Sequence, residues 1–244
     1  MSEHKPDPAV PVVALVLAGG VGSRMGRPKQ FIDLLGAPVL LHTMRAFEEA
    51  PEVARIYTVG DDARVEELAA ELGISKYAGC APPGECRPLS ARSGLRLCRD
   101  EEEENLVLIH DGARCLVTPG LIQRVVAAAL GDPAADGVVP ALPVSDTVKV
   151  AENGTVLETL DRTKLHAVQT PQAFRLGLLR EIYAEPEERQ RDATDDASLV
   201  EKAGGRVLIV DGEKTNMKLT SPEDLVFAEA ILRARAGTSH GVRS

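Results

Sequence analysis

Residues 17–31 read LAGGVGSRMGRPKQF, with Gly19, Gly20 and Gly22 inside four positions and Arg24, Arg27 and Lys29 just after them. A glycine-rich turn leaving a strand exposes backbone N–H groups, and amides beside guanidinium and ammonium groups suit a multiply charged phosphate. Two common phosphate loops do not fit. The pattern GxGxxG needs a third glycine where Met25 stands, and GxxxxGK[ST] needs its lysine directly after Gly26. Lys29 comes three residues after Gly26, and Gln30 takes the Ser/Thr place. A nicotinamide oxidoreductase and a P-loop kinase are therefore disfavoured, and the surviving set of glycines, Arg24 and Lys29 suits a triphosphate.

Further chemistry-bearing residues lie far along the chain. IHDGARCLV (109–117) sets Asp111 at the end of an apolar run, the usual place for a carboxylate facing ribose or a metal-bound phosphate. Arg114 follows three residues later, in reach of a second, anionic or polyhydroxyl ligand. His110 reads as a structural hydrogen-bonding residue, and Cys115 has no histidine partner that would make it a nucleophile. PGECRPLSARSGL (83–95) places Gly84 and Ser90 in a loop that leads into a helix. On sequence alone a loop and helix N-cap is the favoured explanation of Ser90, and capping is also sufficient for Thr194 in ATDDASLV. Lys218, in TNMKLTSPEDL, precedes a capped final helix.

A regular alternation of strands and helices must position these groups. Apolar runs at 12–18, 54–60, 105–111, 136–144 and 206–212 read as strands, the fourth broken by two prolines. Helical spacing appears at 39–50, 61–72, 94–104 (the end of a helix), 118–130, 174–185, 195–205 and 221–237, the last ending at Gly237. The acidic run 101–104 is expected to be a solvated face. This rhythm implies an α/β fold with an open, mostly parallel, Rossmann-like sheet flanked by helices, whose ligands bind beyond the carboxyl ends of the strands. One segment breaks the rhythm: two β-rich arms flank Asn153-Gly154 within 146–162, the strongest short hairpin signal. The expected organisation is one domain over 10–237, an inserted arm at about 143–170, and flexible ends at 1–9 and 238–244.

The 244 residues suffice for one large core, and 44% hydrophobic with 27% charged residues is ordinary for a globular protein. A net charge of −9 argues against a nucleic-acid or membrane surface, so an anion site must come from a local cluster of cations. With 3% aromatics and no Trp, platforms for stacking single-stranded nucleic acid are not expected. The four cysteines form no CxxC pair, which disfavours structural zinc and leaves reduced thiols as the expectation. The first eleven residues have no signal-type apolar region, no run is long enough to span a bilayer, and a cytoplasmic location is expected.

The opening motif resembles the signature of the sugar nucleotidyltransferase superfamily, and the chain from about 12 to 235 resembles its 2-C-methyl-D-erythritol 4-phosphate cytidylyltransferase family. Residues 83–95 are similar to that family's GGxxRxxSVxxGL, with Pro83 for the first glycine and Ala91 for the valine. Residues 109–115 resemble HDxAR with Cys115 in place of a common proline. SDTVK, DRTKLHAVQTPQAF, ATDDAS and TNMKLTSPEDL resemble DTxK, DRxxLxxxxTPQxF, TDxAS and NxKxTxPEDL. The resemblance implies transfer of CMP from CTP to the sugar phosphate, with Arg24, Lys29 and Lys218 catalytic. It implies nucleotide contacts from Ala18, Gly19, Gly20, Gly84, Glu85, Ser90, Asp111 and Gly112. Asp111, Arg114, Thr147, Arg162, Thr170 and Thr194 would bind the second substrate, Thr147 and Arg162 from an arm that crosses to a partner in a homodimer. Mg²⁺ or another divalent cation is the implied cofactor, with Asp111 the nearest candidate ligand. A relative acting on another polyol phosphate, such as ribitol 5-phosphate, and a non-catalytic nucleotide-binding module remain the alternatives.

Overall fold

A computed structural model describes residues 10–20 and 28–240. Its elements run β1 (Val12–Leu17), α1 (Val39–Glu49), β2 (Val53–Val59), α2 (Asp62–Glu71), β3 (Tyr77–Ala81), α3 (Arg87–Leu95), β4 (Leu106–Asp111), α4 (Pro119–Gly131) and β5 (Gly137–Pro143). Then come β6 (Lys149–Glu152), β7 (Thr155–Thr159), β8 (His166–Val168), β9 (Gln172–Arg175), α5 (Leu176–Ala184), α6 (Asp196–Lys202), β10 (Val207–Asp211) and α7 (Pro222–His240). The main sheet has the order β10-β5-β9-β4-β1-β2-β3, with β8 also paired to β5. β1, β2, β3, β4, β5 and β10 run one way; β8 and β9 run against them. The expected mostly parallel α/β sheet is the one observed.

Strand alternation splits the core between the two faces of the sheet. Val12, Ala14 and Val16 of β1, with Leu106 and Leu108 of β4, join α1, α2 and α4 on one face. Val13 and Leu15, with Val107 and Ile109, join α3, α5 and α6 on the other. Both sets are buried, so both strands carry apolar residues at consecutive positions, as central parallel strands do. Burying each such Val, Leu or Ile is worth roughly 1.5–3 kcal/mol. A third, smaller cluster packs Ala228 of α7, and Leu219 just before that helix, with Ile32, Leu34, Val39 and Leu116.

Five expectations change, the first being that the helix expected from 174 begins at Leu176, Phe174 and Arg175 belonging to β9. The prolines do not break β5: Pro140 lies where β5 passes from β9 (Gly137, Val138) to β8 (Ala141 to Pro143), and its carbonyl accepts from Gln169 N at 2.7 Å. The N and C=O of one strand residue point to the same side, so at this junction no ladder donor is required. α3 ends at Leu95 and gives way to a 3-10 turn at Arg96–Cys98, so 99–104 is not helical. Glu101 is not solvated either; its carboxylate pairs with Arg55, accepts from Asn105 and is 9% exposed. α7 continues through Gly237 to His240, since no proline follows to stop it.

The hairpin stands apart from the sheet. β6 and β7 pair antiparallel around Asn153 (φ 49°) and Gly154 (φ 77°), the paired positive φ angles of a type I′ turn. Every residue of both strands is exposed, Val156 at 55% and Leu157 at 62%. The chain rejoins the sheet where Val144 N donates to Leu165 O at 3.0 Å.

Candidate active site

The carboxyl ends of β1 and β4 are level, since Leu17 is registered with Asp111, and Gly112 N closes on Leu17 O at 2.9 Å. Beyond them lies a cavity of about 350 Å³. Its walls come from the end of β1 (Leu17 to Gly20), the turn at Lys29 and Gln30, the loop into α3 (Gly84 to Arg87, with Ser90), the end of β4 (Asp111 to Ala113) and Lys218. Gly19 is required by shape: a Cβ there would sit 2.3 Å from Pro83 Cβ. Pro83 thus takes the room that a larger residue at 19 would need.

Lys29 and Lys218 are brought in by backbone pairing. Leu219 N donates to Ala113 O (2.9 Å), and Lys29 Nζ donates to Leu219 O (2.9 Å). That fastens residues 218–219 beside β4, where Lys218 Nζ meets Asp111 Oδ2 at 2.7 Å. Asp111 Oδ1 takes Arg87 Nε at 3.0 Å, and Arg87 Nη1 reaches Asp196 Oδ2 at 2.8 Å. Tyr183 OH completes the row by donating to Asp196 Oδ1 at 2.6 Å. Burial alone would raise the pKa of Asp111, but the charges and hydrogen bonds of Arg87 and Lys218 hold it well below the usual carboxylate range. Among the described residues the lining carries three cations (Lys29, Arg87, Lys218) against two acids (Glu85, Asp111), a local positive excess in a chain of net charge −9.

Behind the cavity, one hydroxyl organises two residues. Thr170 Oγ1 accepts from Asp111 N at 3.1 Å and lies 3.0 Å from His110 Nδ1. The Arg114 carbonyl 3.2 Å from Nε2 can only accept, so neutral His110 carries its ring proton on Nε2, and Nδ1 accepts from the Thr170 hydroxyl. Burial holds the His110 pKa down at about 3, and its ring meets Phe47 edge-on at 5.1 Å. This neutral imidazole, with both nitrogens engaged, is the structural histidine expected from sequence. Cys115 is buried, and burial pushes its thiol up to about 12, which makes it inert as a nucleophile.

Of the residues singled out in the sequence, the cavity gathers Ala18, Gly19, Gly20, Lys29, Gly84, Glu85, Ser90, Asp111, Gly112 and Lys218. Arg24 lies outside the described residues. The hydroxyl of Ser90 accepts from Gly84 N (3.1 Å) and donates to Cys86 O (3.0 Å), so it shapes the loop. Glu85 pairs with Arg191 at 2.7 Å. Thr170 is buried behind Asp111. Arg114 does not line the cavity; its Nη1 donates to Asn216 O at 2.9 Å. Thr147 and Arg162 are exposed at the root of the hairpin, away from the cavity, with Arg162 Nη1 donating to Ser145 O at 2.7 Å. Thr194 is exposed, and the cap of α6 is Asp195, whose side chain accepts from Ser198 N at 3.0 Å. An aspartate has two acceptor oxygens for that role and stands one residue nearer the helix.

Sequence reasoning passed over Arg87, Gln30, Tyr183 and Asp196. Arg87 was legible as the one cation within 83–91; Asp196 reads as an ordinary first-turn acid, and nothing in its spacing reveals that it is wholly buried.

The family model described as "IspD: 2-C-methyl-D-erythritol 4-phosphate cytidylyltransferase" matches residues 12–234. The chain is 66% identical over 223 residues to a 2-C-methyl-D-erythritol 4-phosphate cytidylyltransferase of Rubrobacter xylanophilus, covering 91% of this chain and 95% of that one. It is 44% identical over 236 residues to the protein of that name from Bacillus velezensis, covering 94% and 99%. Among solved structures it is similar to a 4-diphosphocytidyl-2C-methyl-D-erythritol synthase (TM-score 0.77, 30% identity, 91% and 99% covered). It is also similar to the 2-C-methyl-D-erythritol 4-phosphate cytidylyltransferase of Thermus thermophilus (TM-score 0.71, 33% identity, 90% and 98% covered).

Proposed function

The chain belongs to the 2-C-methyl-D-erythritol 4-phosphate cytidylyltransferase family, and from that premise we infer that it transfers CMP from CTP to 2-C-methyl-D-erythritol 4-phosphate. The products are 4-diphosphocytidyl-2-C-methyl-D-erythritol and pyrophosphate, a step in making isoprenoid precursors. The observation that carries this reading is the meeting of Lys29, Lys218 and Asp111 around one cavity at the strand ends. A phosphate oxygen of the sugar phosphate attacks the α-phosphorus of CTP in line. The new P–O bond forms as the bond to the oxygen bridging the α and β phosphates breaks, and pyrophosphate leaves with that oxygen. The nucleophile is already an anion, so positioning and charge stabilisation suffice and no strong base is needed. Lys29, with Arg24, holds the triphosphate, and Lys218 meets the α-phosphate or the incoming phosphate. Each has a cation's role toward oxygens that gain charge in the transition state.

A divalent cation carried in by the triphosphate belongs to the same proposal, held mainly by phosphate oxygens and water, since both oxygens of Asp111 already meet Arg87 and Lys218. Magnesium keeps several waters and takes one or two carboxylates besides phosphate oxygens, and Asp111 is the carboxylate nearest to Lys218. When bound, Mg²⁺ would neutralise charge on the phosphates. The hairpin is read as a clasp between two copies: its exposed Val150, Val156 and Leu157 favour a partner surface, and an isolated two-stranded ribbon is marginal alone. Thr147 and Arg162 would then serve the partner's sugar phosphate, with Arg114 reading the same ligand from its own subunit. No helix among the described residues is long and apolar enough to cross a membrane, and we place the enzyme in the cytoplasm.

The direct test measures pyrophosphate release from CTP with 2-C-methyl-D-erythritol 4-phosphate and with ribitol 5-phosphate, then with ATP, GTP and UTP in place of CTP. The methylerythritol substrate with CTP should be fastest. A faster reaction with ribitol 5-phosphate overturns the substrate. CTP binding with no release from either overturns catalysis in favour of a nucleotide-binding module.

A further inference from the structure

Arg87 opens α3 and lines the cavity, yet its guanidinium is not free to take a ligand. Nε is held by Asp111 and Nη1 by Asp196, while Nη2 is buried with no hydrogen-bond partner among the described residues. Asp196 is itself wholly buried and fixed from behind by the hydroxyl of Tyr183. The row Tyr183–Asp196–Arg87–Asp111–Lys218 therefore alternates in charge and crosses from α5 and α6, through α3, to the end of β4.

We propose that Arg87 is a positioning residue for CMP transfer, acting through Asp111 on Lys218; the proposal rests on the transfer reading above. An entering phosphate competes with Asp111 for the Lys218 ammonium. A buried carboxylate stripped of its only cation is strongly unfavourable, so a lone Asp111 would hold Lys218 back. Arg87 keeps Asp111 compensated after Lys218 turns to the phosphate. Asp196 and Tyr183 hold Arg87 in place on the far side, so it stays with Asp111 when the anion arrives. The shape of the guanidinium matters here, because a fork can bind two carboxylates at once and an ammonium is a single point.

The experiment is a double-mutant cycle on transfer activity, with Arg87→Gln and Lys218→Met alone and together. Coupled residues give non-additive losses, whereas a merely structural tie between α3 and α6 would cost the same in either background. Arg87→Gln should lower kcat by about 10- to 100-fold, the worth of a hydrogen bond to a charged group. In the Lys218→Met background the further loss should stay below about threefold. Arg87→Lys should recover part of the loss, since it restores the charge but not the fork. Should Arg87→Gln fail to fold, Tyr183→Phe enters the same cycle, with a loss of about 3- to 10-fold that vanishes beside Lys218→Met. Equal losses in both backgrounds, or full activity in Arg87→Gln, overturns the proposal. A wild-type enzyme that releases no pyrophosphate overturns the transfer reading instead, and is seen before any variant is made.

Discussion

Acidification from pH 7 to pH 5 should destabilise this protein by about 2 kcal/mol through one residue. In the fold, burial holds the His110 imidazole at about 3; in the unfolded chain it titrates near about 6.5. Because the folded value is the lower one, the unfolded state takes up a proton that the native state refuses anywhere between those two pH values. Stability from this group is full above about 6.5 and falls by about 1.36 kcal/mol per pH unit below it. Over pH 7 to 5 the loss integrates to about 2 kcal/mol, or about 4–8 °C in Tm for a chain of this length. Carboxylates in the unfolded chain titrate near about 4, so most of their contribution, including that of Asp111, falls in a more acidic window. Urea titrations at pH 7, 6 and 5 would compare wild type with His110→Gln, whose amide can still donate toward the Arg114 carbonyl. The variant should be less stable at pH 7 but lose about 2 kcal/mol less on acidification. Parallel slopes for the two proteins, or a flat wild-type profile, would refute the assignment of a buried neutral His110.

Lys29→Ala should cut kcat by about 100- to 1,000-fold while costing no more than about 1.5 kcal/mol of stability, read by pyrophosphate release and thermal melting. If the arm serves the partner's site, mixing equal amounts of Lys29→Ala and Arg162→Ala subunits should restore about a quarter of wild-type activity, because one of two sites is whole in half of the dimers. No rescue in dimers verified as mixed would sink the shared site. With Ellman's reagent, Cys80 and Cys86 should react in the native protein, whereas Cys98 and Cys115, buried with thiols pushed up to about 12, should react only on unfolding. Fast titration of a third thiol would contradict the fold around α3 or β4.

The sheet was legible because its inner strands are short apolar runs bounded by glycines and acids, as in VVALVLAGG. The hairpin was legible because Asn-Gly demands positive φ at both residues. β9 was not: QAFR is four residues long and follows a Thr-Pro turn, so it reads as the start of a helix, and only tertiary pairing with β4 and β5 makes it a strand. The cavity residues were legible where a motif marks them, at 18–20, 29, 84, 85, 90, 111–112 and 218. The buried charge that steadies them was not, because Asp196 looks like any solvated first-turn helix acid until the fold covers it. Local spacing says which face an acid occupies, but not what packs on that face.

The position of β9 bears on the order in which the molecule can assemble. β4 and β5 do not pair with each other; the four residues of β9 are what join them. A nascent chain that has emerged as far as Pro143 therefore holds one partial sheet, β4-β1-β2-β3, and an unpaired β5 whose partners β8, β9 and β10 all come later. The hairpin must be synthesised and passed over before residues 172–175 arrive to close the gap from the middle. Until then the inner edges of β4 and β5 are open to other chains, so ribosome stalling or truncation between 143 and 172 should yield aggregation-prone fragments in place of a smaller stable domain.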